Sequence, residues 1–424
     1  MPPYRVFVDH GEAYGNLGDE AMLVSALARL RRHLGDCVFV IPREGNRPLP
    51  ALGSFAVEHV PSPFVSFARA SARLEWLTGR LARLRLMRVD GLQWRLRAAT
   101  ALAKREVQSH LRGCDAFYGV GAADFNDFNA LGAAYKCWLY DVARPLVRVA
   151  AVSAQGIGPV RNAELAGLMR RTFDRLDLLS FRDCRYSAEF VSSLGALSCR
   201  TRIVGDEAFS LTPAENAARD RYLAEAGLSP DEPFIAVHWR ATDYVQETAW
   251  LYSRVAKIFQ AASRRHGLPL VFFPMSYDVH SRHDDECCAA IRQLMDEPAR
   301  LLMAPPNRDV ALVKAAIGAS RFTLGLSYHV HVFGLSQGVP AIIAYSGDYY
   351  RFKSEGLAGF YAAPTAAADI ADAQGEAGAM RAIEALRGVG PEVREDIVTR
   401  NRSILASNDW TIAEMSRLLR DRGR

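Results

Sequence analysis

The chain has 424 residues, 50% hydrophobic and 23% charged. That is ordinary globular composition on a length that excludes one ordinary core and makes two domains the default. The formal net charge of +5 and a pI near 8.8 are mildly basic; they permit an anionic substrate or membrane headgroups and make no demand for nucleic acid.

The opening "MPPYRVFVDH" is a short strand without a basic region and apolar stretch, so no signal peptide is expected. No window holds some 18 uninterrupted apolar residues, so no transmembrane span is expected either. Seven cysteines, an odd number without framework spacing, read as free thiols of a reducing cytosol, and the adjacent Cys287 and Cys288 are no disulfide signature.

In chain order, strand-like runs recur: "YRVFVD", "CVFVIP", "AFYGVG", "RVAAVSAQG", "LDLLSFRD" and "TRIVGD", then "FIAVHWR", "LPLVFFP", "RFTLGLS" and "PAIIAYS". Each is short, apolar and often closed by Gly or a polar turn. Amphipathic helical stretches lie between them, such as "EAMLVSALARLRRHL", with Met22, Leu23, Ala26, Leu27, Leu30 and Leu34 on one face. The alternation predicts an α/β fold whose parallel sheets are buried on both faces. The segment from Ser210 to Pro233 carries turn residues and charge but no buried strand, which divides the chain into two Rossmann-like domains, 1–210 and 211–424. In such sheets ligands bind beyond the carboxyl ends of the strands, so functional residues are expected in the loops after strands.

Residues 66–113 break the alternation as an arginine-rich helical insertion. Two readings are open: a solvated helical face whose Arg stems cover apolar surface, or a docking face for membrane or anionic glycolipid. The Ala-rich stretch from Ala362 to Met380 reads as a loop leading into a helix.

The loop after the first strand, "GNLGDEAML", supplies Gly15 and Gly18 for close approach to a ligand, and the following helix offers unpaired N–H groups. Asp19 and Glu20 suit the first turn of that helix as caps or dipole partners. The loop is neither a Walker loop nor a dinucleotide fingerprint, because the Gly-Lys-Ser/Thr and the glycine spacing are absent.

Together with "AFYGVGAADFND", "SAQGIGP", "SFRDCRYSAEFVSSLG", "IVGDEAFSL", "VHWRATD" and "GLSYHVHVFGLSQGVPAIIAYSGDYYRFKSEGL", in that order, this loop resembles the polysaccharide pyruvyl transferase family. The resemblance implies two Rossmann-like domains of the glycosyltransferase-B type, the first on the acceptor side and the second on the donor side. It also implies transfer of pyruvate from phosphoenolpyruvate to a sugar, usually as a cyclic ketal, with phosphoenolpyruvate as co-substrate and no further cofactor. Two departures stand out: Gly119-Val120-Gly121-Ala122 where the family usually has three glycines, and Ser327 where it places an arginine two residues before its histidine.

On that resemblance Arg240 is the donor-binding arginine. From the residues alone it is equally a surface arginine or a partner of Asp243. Gly325 and Ser327 lie at the donor end, and Arg351 or Lys353 could replace the missing cation. Arg182, beside Asp183, binds an anion or forms an internal ion pair. A bidentate guanidinium suits the carboxylate and phosphate of the donor. Protonation of the enol carbon needs an acid that works near neutral pH, for which His329 is the candidate and a structural histidine the alternative. His331 reads as structural and His238 as a second-tier acid. Asp124 and Asp127 could take a hydroxyl proton from the acceptor or cap the next helix. Gly15, Asn16, Gly18, Asp19, Asp124, Gln155 and Tyr349 are expected to line the cleft on the acceptor side, with Tyr349 or Tyr350 offering a ring face to a sugar. Asp206, in the turn between domains, reads as a hinge or loop residue, with binding of a substrate hydroxyl as the alternative. The cluster His280, His283, Asp284 and Cys287 lacks a paired second half at zinc spacing, so no metal is expected.

The expected partners are a sugar or glycolipid acceptor, with peripheral membrane contact through 66–113 and no nucleic acid, in the cytoplasm or at the inner face of the membrane. Two other functions compete. "HWRATD" is similar to the His-x-Arg-x-Thr-Asp pattern of fucosyltransferases, in which arginine binds a nucleotide diphosphate, so a nucleotide-sugar glycosyltransferase is the alternative. A non-catalytic sugar-binding homologue is the third.

Overall fold

The computed structural model describes residues 2–10, 15–44, 49–65, 67–68, 103–229, 231–240, 249–277 and 284–423. Most of the Arg-rich insertion, Asp243, His280 and His283 therefore lie outside the described residues.

The first sheet has seven parallel strands: β1 (Tyr4–Asp9), β2 (Cys37–Arg43), β3 (Val57–Pro61), β4 (Ala116–Gly119), β5 (Val149–Gln155), β6 (Leu178–Phe181) and β7 (Arg200–Ile203), in the order β3-β2-β1-β4-β5-β6-β7. The second has six: β8 (Ile235–His238), β9 (Leu270–Phe272), β10 (Leu301–Met303), β11 (Thr323–Gly325), β12 (Ala341–Tyr345) and β13 (Ala366–Asp369), in the order β10-β9-β8-β11-β12-β13. Both are doubly wound, so the strand order reverses between β1 and β4 and again between β8 and β11. The loops beyond those strand ends are the expected ligand positions.

Central strands such as "VAAVSAQ" and "AIIAY" are buried along their whole length, as sheets covered by helices on both faces require. The strands the sequence pattern misses, β3, β10 and β13, are all sheet edges. β3 reads "VEHVP" with half of it exposed, and β13 is the "AAAD" of the Ala-rich stretch expected to be a loop. An edge strand buries less surface, so its apolar signal is weak.

Each sheet has one face on its own apolar cluster, around Phe117 and Leu179 in the first and Phe272 and Leu324 in the second. Its other face joins a third cluster that runs from Val8 and Leu27 through Phe273 and Val313 to Ile412. The two domains thus share a core. They also share chain: the last helix, Trp410–Asp421, lies in the 211–424 half of the sequence but packs on β5, β6 and the helix Leu17–Leu34.

Candidate functional site

A cavity of about 180 Å³ lies where the two switch points face each other. From the first domain it is lined by His10 after β1, Asn16, Asp19 and Met22 at the start of the helix Leu17–Leu34, 121–124 after β4, and Arg182 after β6. From the second come Arg240 after β8, 326–329 after β11, and Tyr349, Tyr350 and Lys353 on the helix Asp348–Ala358. Three helix N-termini therefore converge, those of Leu17–Leu34, Tyr328–Leu335 and Asp348–Ala358, each the positive end of its dipole.

Three cationic side chains stand in this wall. The Arg182 guanidinium is 2.5 Å from Asp206 and stacks over the Tyr328 ring at 4.3 Å. Its expected partner Asp183 instead accepts from the backbone N–H of Ser187. Arg240 donates to Asp284 at 3.1 Å. Lys353 donates to the Tyr349 hydroxyl at 2.9 Å, and burial, with Arg182 nearby, pushes its ammonium down to about 8.

Asp284, part of the suspected metal cluster, is a carboxylate hub. One of its oxygens takes Arg240 and His238 at 3.1 Å each and the N–H groups of Met275 and Ser276 at 2.7 and 2.9 Å. Burial opposes its charge, yet Arg240 and His238 hold the carboxyl well below the usual carboxylate range. His238 is accordingly buried and tied to this carboxylate, a structural role. His331 is equally structural, between the Thr323 hydroxyl and the Gly325 carbonyl at 2.8 Å each.

His329 sits in the cavity, 9% exposed. Its Nε2 lies 3.7 Å from the Asp206 carboxylate and makes no hydrogen bond. Burial would raise the Asp206 carboxyl, but Arg182 and His329 hold it well below the usual carboxylate range. Asp206 thus supplies a fixed negative charge beside the ring, a role beyond the hinge expected for it. Gly18 makes room for that ring: a Cβ there would stand 1.8 Å from His329 Nδ1. Gly325, at φ +133°, is as constrained, since its Cβ would meet the His238 carbonyl at 1.9 Å where β8 and β11 part.

The opening loop resolves differently from its expected capping scheme. Asn16, not an acid, is the N-cap, accepting from Gly18 N–H at 3.0 Å. Asp19 faces the cavity, where burial raises its carboxyl against the opposing pull of His329 and Lys353. Glu20 is buried toward Arg308 of the second domain at 3.7 Å. The Gly15 carbonyl accepts from Tyr277 N–H at 2.6 Å and Leu17 N–H donates to the Met275 carbonyl at 2.9 Å, which joins the two domains along one side of the cavity.

Of the residues singled out from sequence, His329, Arg182, Arg240, Ser327, Lys353, Asn16, Asp19, Asp124, Tyr349 and Tyr350 line the cavity. Asp127 does not: its carboxylate accepts from the N–H groups of Arg161 and Asn162 at 2.5 and 3.3 Å. Gln155 is buried and donates to the Val120 and Ser153 carbonyls, bracing the loop after β4 from below. Arg351 pairs with Asp348 at 3.2 Å outside the cavity. Gly15, Gly18 and Gly325 shape the wall without lining it. His10, Met22 and Tyr328 are lining residues that were not singled out as such; His10 had a signal, its position directly after a strand at the switch point.

Among the described residues no three His, Cys, Asp or Glu side chains are grouped to hold a metal ion; of the cluster weighed from sequence, only Asp284 and Cys287 are described. No described helix is long and apolar enough to cross a membrane.

A sequence model of the polysaccharide pyruvyl transferase family matches residues 16–349, whereas no curated protein matches the chain. Among solved structures, the fold is similar to alpha,alpha-trehalose 6-phosphate synthase from Burkholderia multivorans (TM-score 0.57, 12% identity, covering 100% of this chain and 96% of that one). It is also similar to Anabaena HepE, solved with UDP and glucose (TM-score 0.55, 11% identity, 99% of each chain). S. aureus MnaA, solved with UDP, is a third (TM-score 0.54, 12% identity, 98% and 94%). At such identities the likeness establishes the architecture, two Rossmann-like domains of the glycosyltransferase-B type, and leaves the chemistry to the site.

Proposed function

Because the chain belongs to the polysaccharide pyruvyl transferase family, and is therefore a transferase, we propose that it moves pyruvate from phosphoenolpyruvate onto a sugar of a surface polysaccharide or its glycolipid precursor. The product is a cyclic ketal, phosphoenolpyruvate is the co-substrate, and no other cofactor takes part. One observation carries the reading: Arg182, Arg240 and Lys353 converge with the N-termini of Tyr328–Leu335 and Asp348–Ala358 on a single cavity that also holds His329. A small donor that carries both a carboxylate and a phosphate needs this combination of fixed cations and backbone donors.

In this reaction His329 gives a proton to C3 of the enol, and an acceptor hydroxyl bonds to C2. Asp124, on the first-domain wall, is the carboxylate placed to receive that hydroxyl's proton, which then returns to the histidine. The C2–O bond to phosphate breaks and phosphate leaves. A second hydroxyl of the same sugar closes the ketal, and its proton departs with the phosphate. Positive charge from Arg240 and Lys353 steadies the phosphate throughout.

Thermal shift with phosphoenolpyruvate, UDP, GDP and CMP tests the donor. Stabilisation by phosphoenolpyruvate, lost in Arg240→Ala, is the expected result. Stabilisation by one nucleotide and none by phosphoenolpyruvate would replace the reading with its rival, a nucleotide-sugar glycosyltransferase. The feature that favours this rival is Ser327, which leaves the cavity without the family's arginine at that position.

A cytoplasmic enzyme docked at the inner face of the membrane fits a glycolipid acceptor. The arginines of 66–113 are the segment that would hold it there. Sedimentation with anionic liposomes, lost at high salt, is expected; indifference to anionic lipid would sink the membrane contact.

A further inference from the structure

At the mouth of the cavity the three-residue turn Asp127–Asn129 carries an exposed aromatic ring. Phe128 is 50% exposed, among the most exposed large apolar side chains described. Single exposed apolar residues are ordinary on a surface, but the setting of this one is not. Hydrogen bonds brace the turn on several sides. Asn126 donates to the Ala123 carbonyl at 2.8 Å and accepts from Asn129 N–H at 2.9 Å, Asn129 accepts from Gly132 N–H, and Asp127 braces the loop at 161–162. Arg161 of that loop then reaches across the cleft to Asp348 at 2.7 Å. The turn is thereby tied to the loop at 161–162, and through Arg161 to Asp348 of the second domain, while the Phe128 ring stays half exposed.

Phe128 meets Tyr349 edge to face at 5.8 Å between ring centres, and Tyr349 meets Tyr350 in the same manner at 5.2 Å. Both tyrosines line the cavity. The result is a run of three rings from solvent to the reacting centre, with Asp124, a carboxylate 34% exposed, beside its inner end. A pyranose presents an apolar C–H face and a rim of hydroxyls. Rings for the face and a carboxylate for the rim are the chemistry that would hold one.

We propose that Phe128, braced edge to face by Tyr349, is the platform on which a pyranose ring of the acceptor stacks, and that it directs the sugar's hydroxyls toward the cavity. The inference rests on the acceptor being a sugar, as in the function proposed above, but not on the identity of the donor. Phe128 takes no part in proton transfer; it orients the acceptor. Because the turn that carries the ring is braced before the sugar arrives, less ordering remains to be done on binding.

The test uses the full chain with methyl β-D-galactoside, methyl β-D-glucoside and methyl α-D-mannoside, read by saturation-transfer NMR and titration, with inorganic phosphate present to fill the anion site. At least one pyranoside is expected to bind with its C–H protons receiving saturation. Phe128→Ala should weaken that binding on the order of tenfold, the loss expected when part of an apolar ring contact goes. Phe128→Trp should restore it, and the thermal shift by phosphoenolpyruvate should be the same in all three proteins. Equal affinity in Phe128→Ala and wild type would overturn the proposal, and so would the absence of pyranoside binding to wild type. Phe128-dependent binding without pyruvyl transfer would leave the platform standing and remove the proposed reaction instead.

Discussion

His329 is placed by residues that do not react. Gly18 clears space for its ring, and Asp206, locked to Arg182, sets a negative charge 3.7 Å from its Nε2. In His329→Ala, turnover should fall by about 10²–10⁴, the usual contribution of a general acid, while the dissociation constant for phosphoenolpyruvate stays close to wild type. Full activity in that variant would take His329 out of the mechanism. Lys353 makes a prediction in pH. Its ammonium titrates at about 8, because burial and Arg182 work against the charge. Below that value the cation is present and helps hold an anion; above it the cation is lost and affinity falls. Titrations of phosphoenolpyruvate across pH 8 should show this weakening in wild type. Lys353→Met should bind more weakly and without the step, and a step that survives in Lys353→Met would assign it to another group. These roles were partly legible in sequence, because strand ends followed by His, Arg or Lys are where an α/β cleft forms. Asp127 and Asp124, three residues apart, could not be separated by sequence. Their fates depend on the direction each side chain takes from one turn, which backbone N–H groups elsewhere decide.

At the scale of elements, the site is a set of loop junctions held in register. Asp284 opens the helix Asp284–Gln293 and fixes both Arg240 and the turn at Met275–Ser276. That turn in turn bonds to the opening loop of the first domain. Asp284→Asn keeps the shape but removes the charge that aims Arg240, leaving the guanidinium and His238 less well satisfied. The KM for phosphoenolpyruvate should rise about tenfold, the loss of one charge-assisted hydrogen bond, with a smaller change in kcat. A fall in kcat at unchanged KM would show that Asp284 acts on the chemistry and not on donor binding. The sequence showed Asp284 only as a member of a tempting ligand cluster. Its side-chain partners Arg240 and His238 are 44 and 46 residues away along the chain, a separation that carries no local pattern.

At the scale of the whole molecule, the two domains are joined at a crossing of the linker at 204–210 with the chain at 408–410. Arg29 is fully buried there, 2.9 Å from Glu207, which also accepts from the Tyr118 hydroxyl at 2.8 Å. Asn408 ties the same crossing through Gly205 N–H and the Asp206 carbonyl. Removing one member of a buried ion pair leaves the other charge unpaired, so Glu207→Ala should cost about 3–5 kcal/mol, read as a lower urea midpoint. An unchanged midpoint would mean that Asn408 and Asp409 satisfy Arg29 on their own.

The sequence by itself determined the fold class, most of the buried strands and the family, because buried parallel strands are near-continuous apolar runs and the family's motifs fall in the loops after them. Ten of the residues it singled out line the cavity, in or just beyond those loops. The edge strands, the return of the last helix to the first sheet and the partners of Arg182, Arg240 and Glu20 were decided only by tertiary structure. Those features depend on which surfaces meet across a shared core, and the interactions that settle them join residues far apart in the chain.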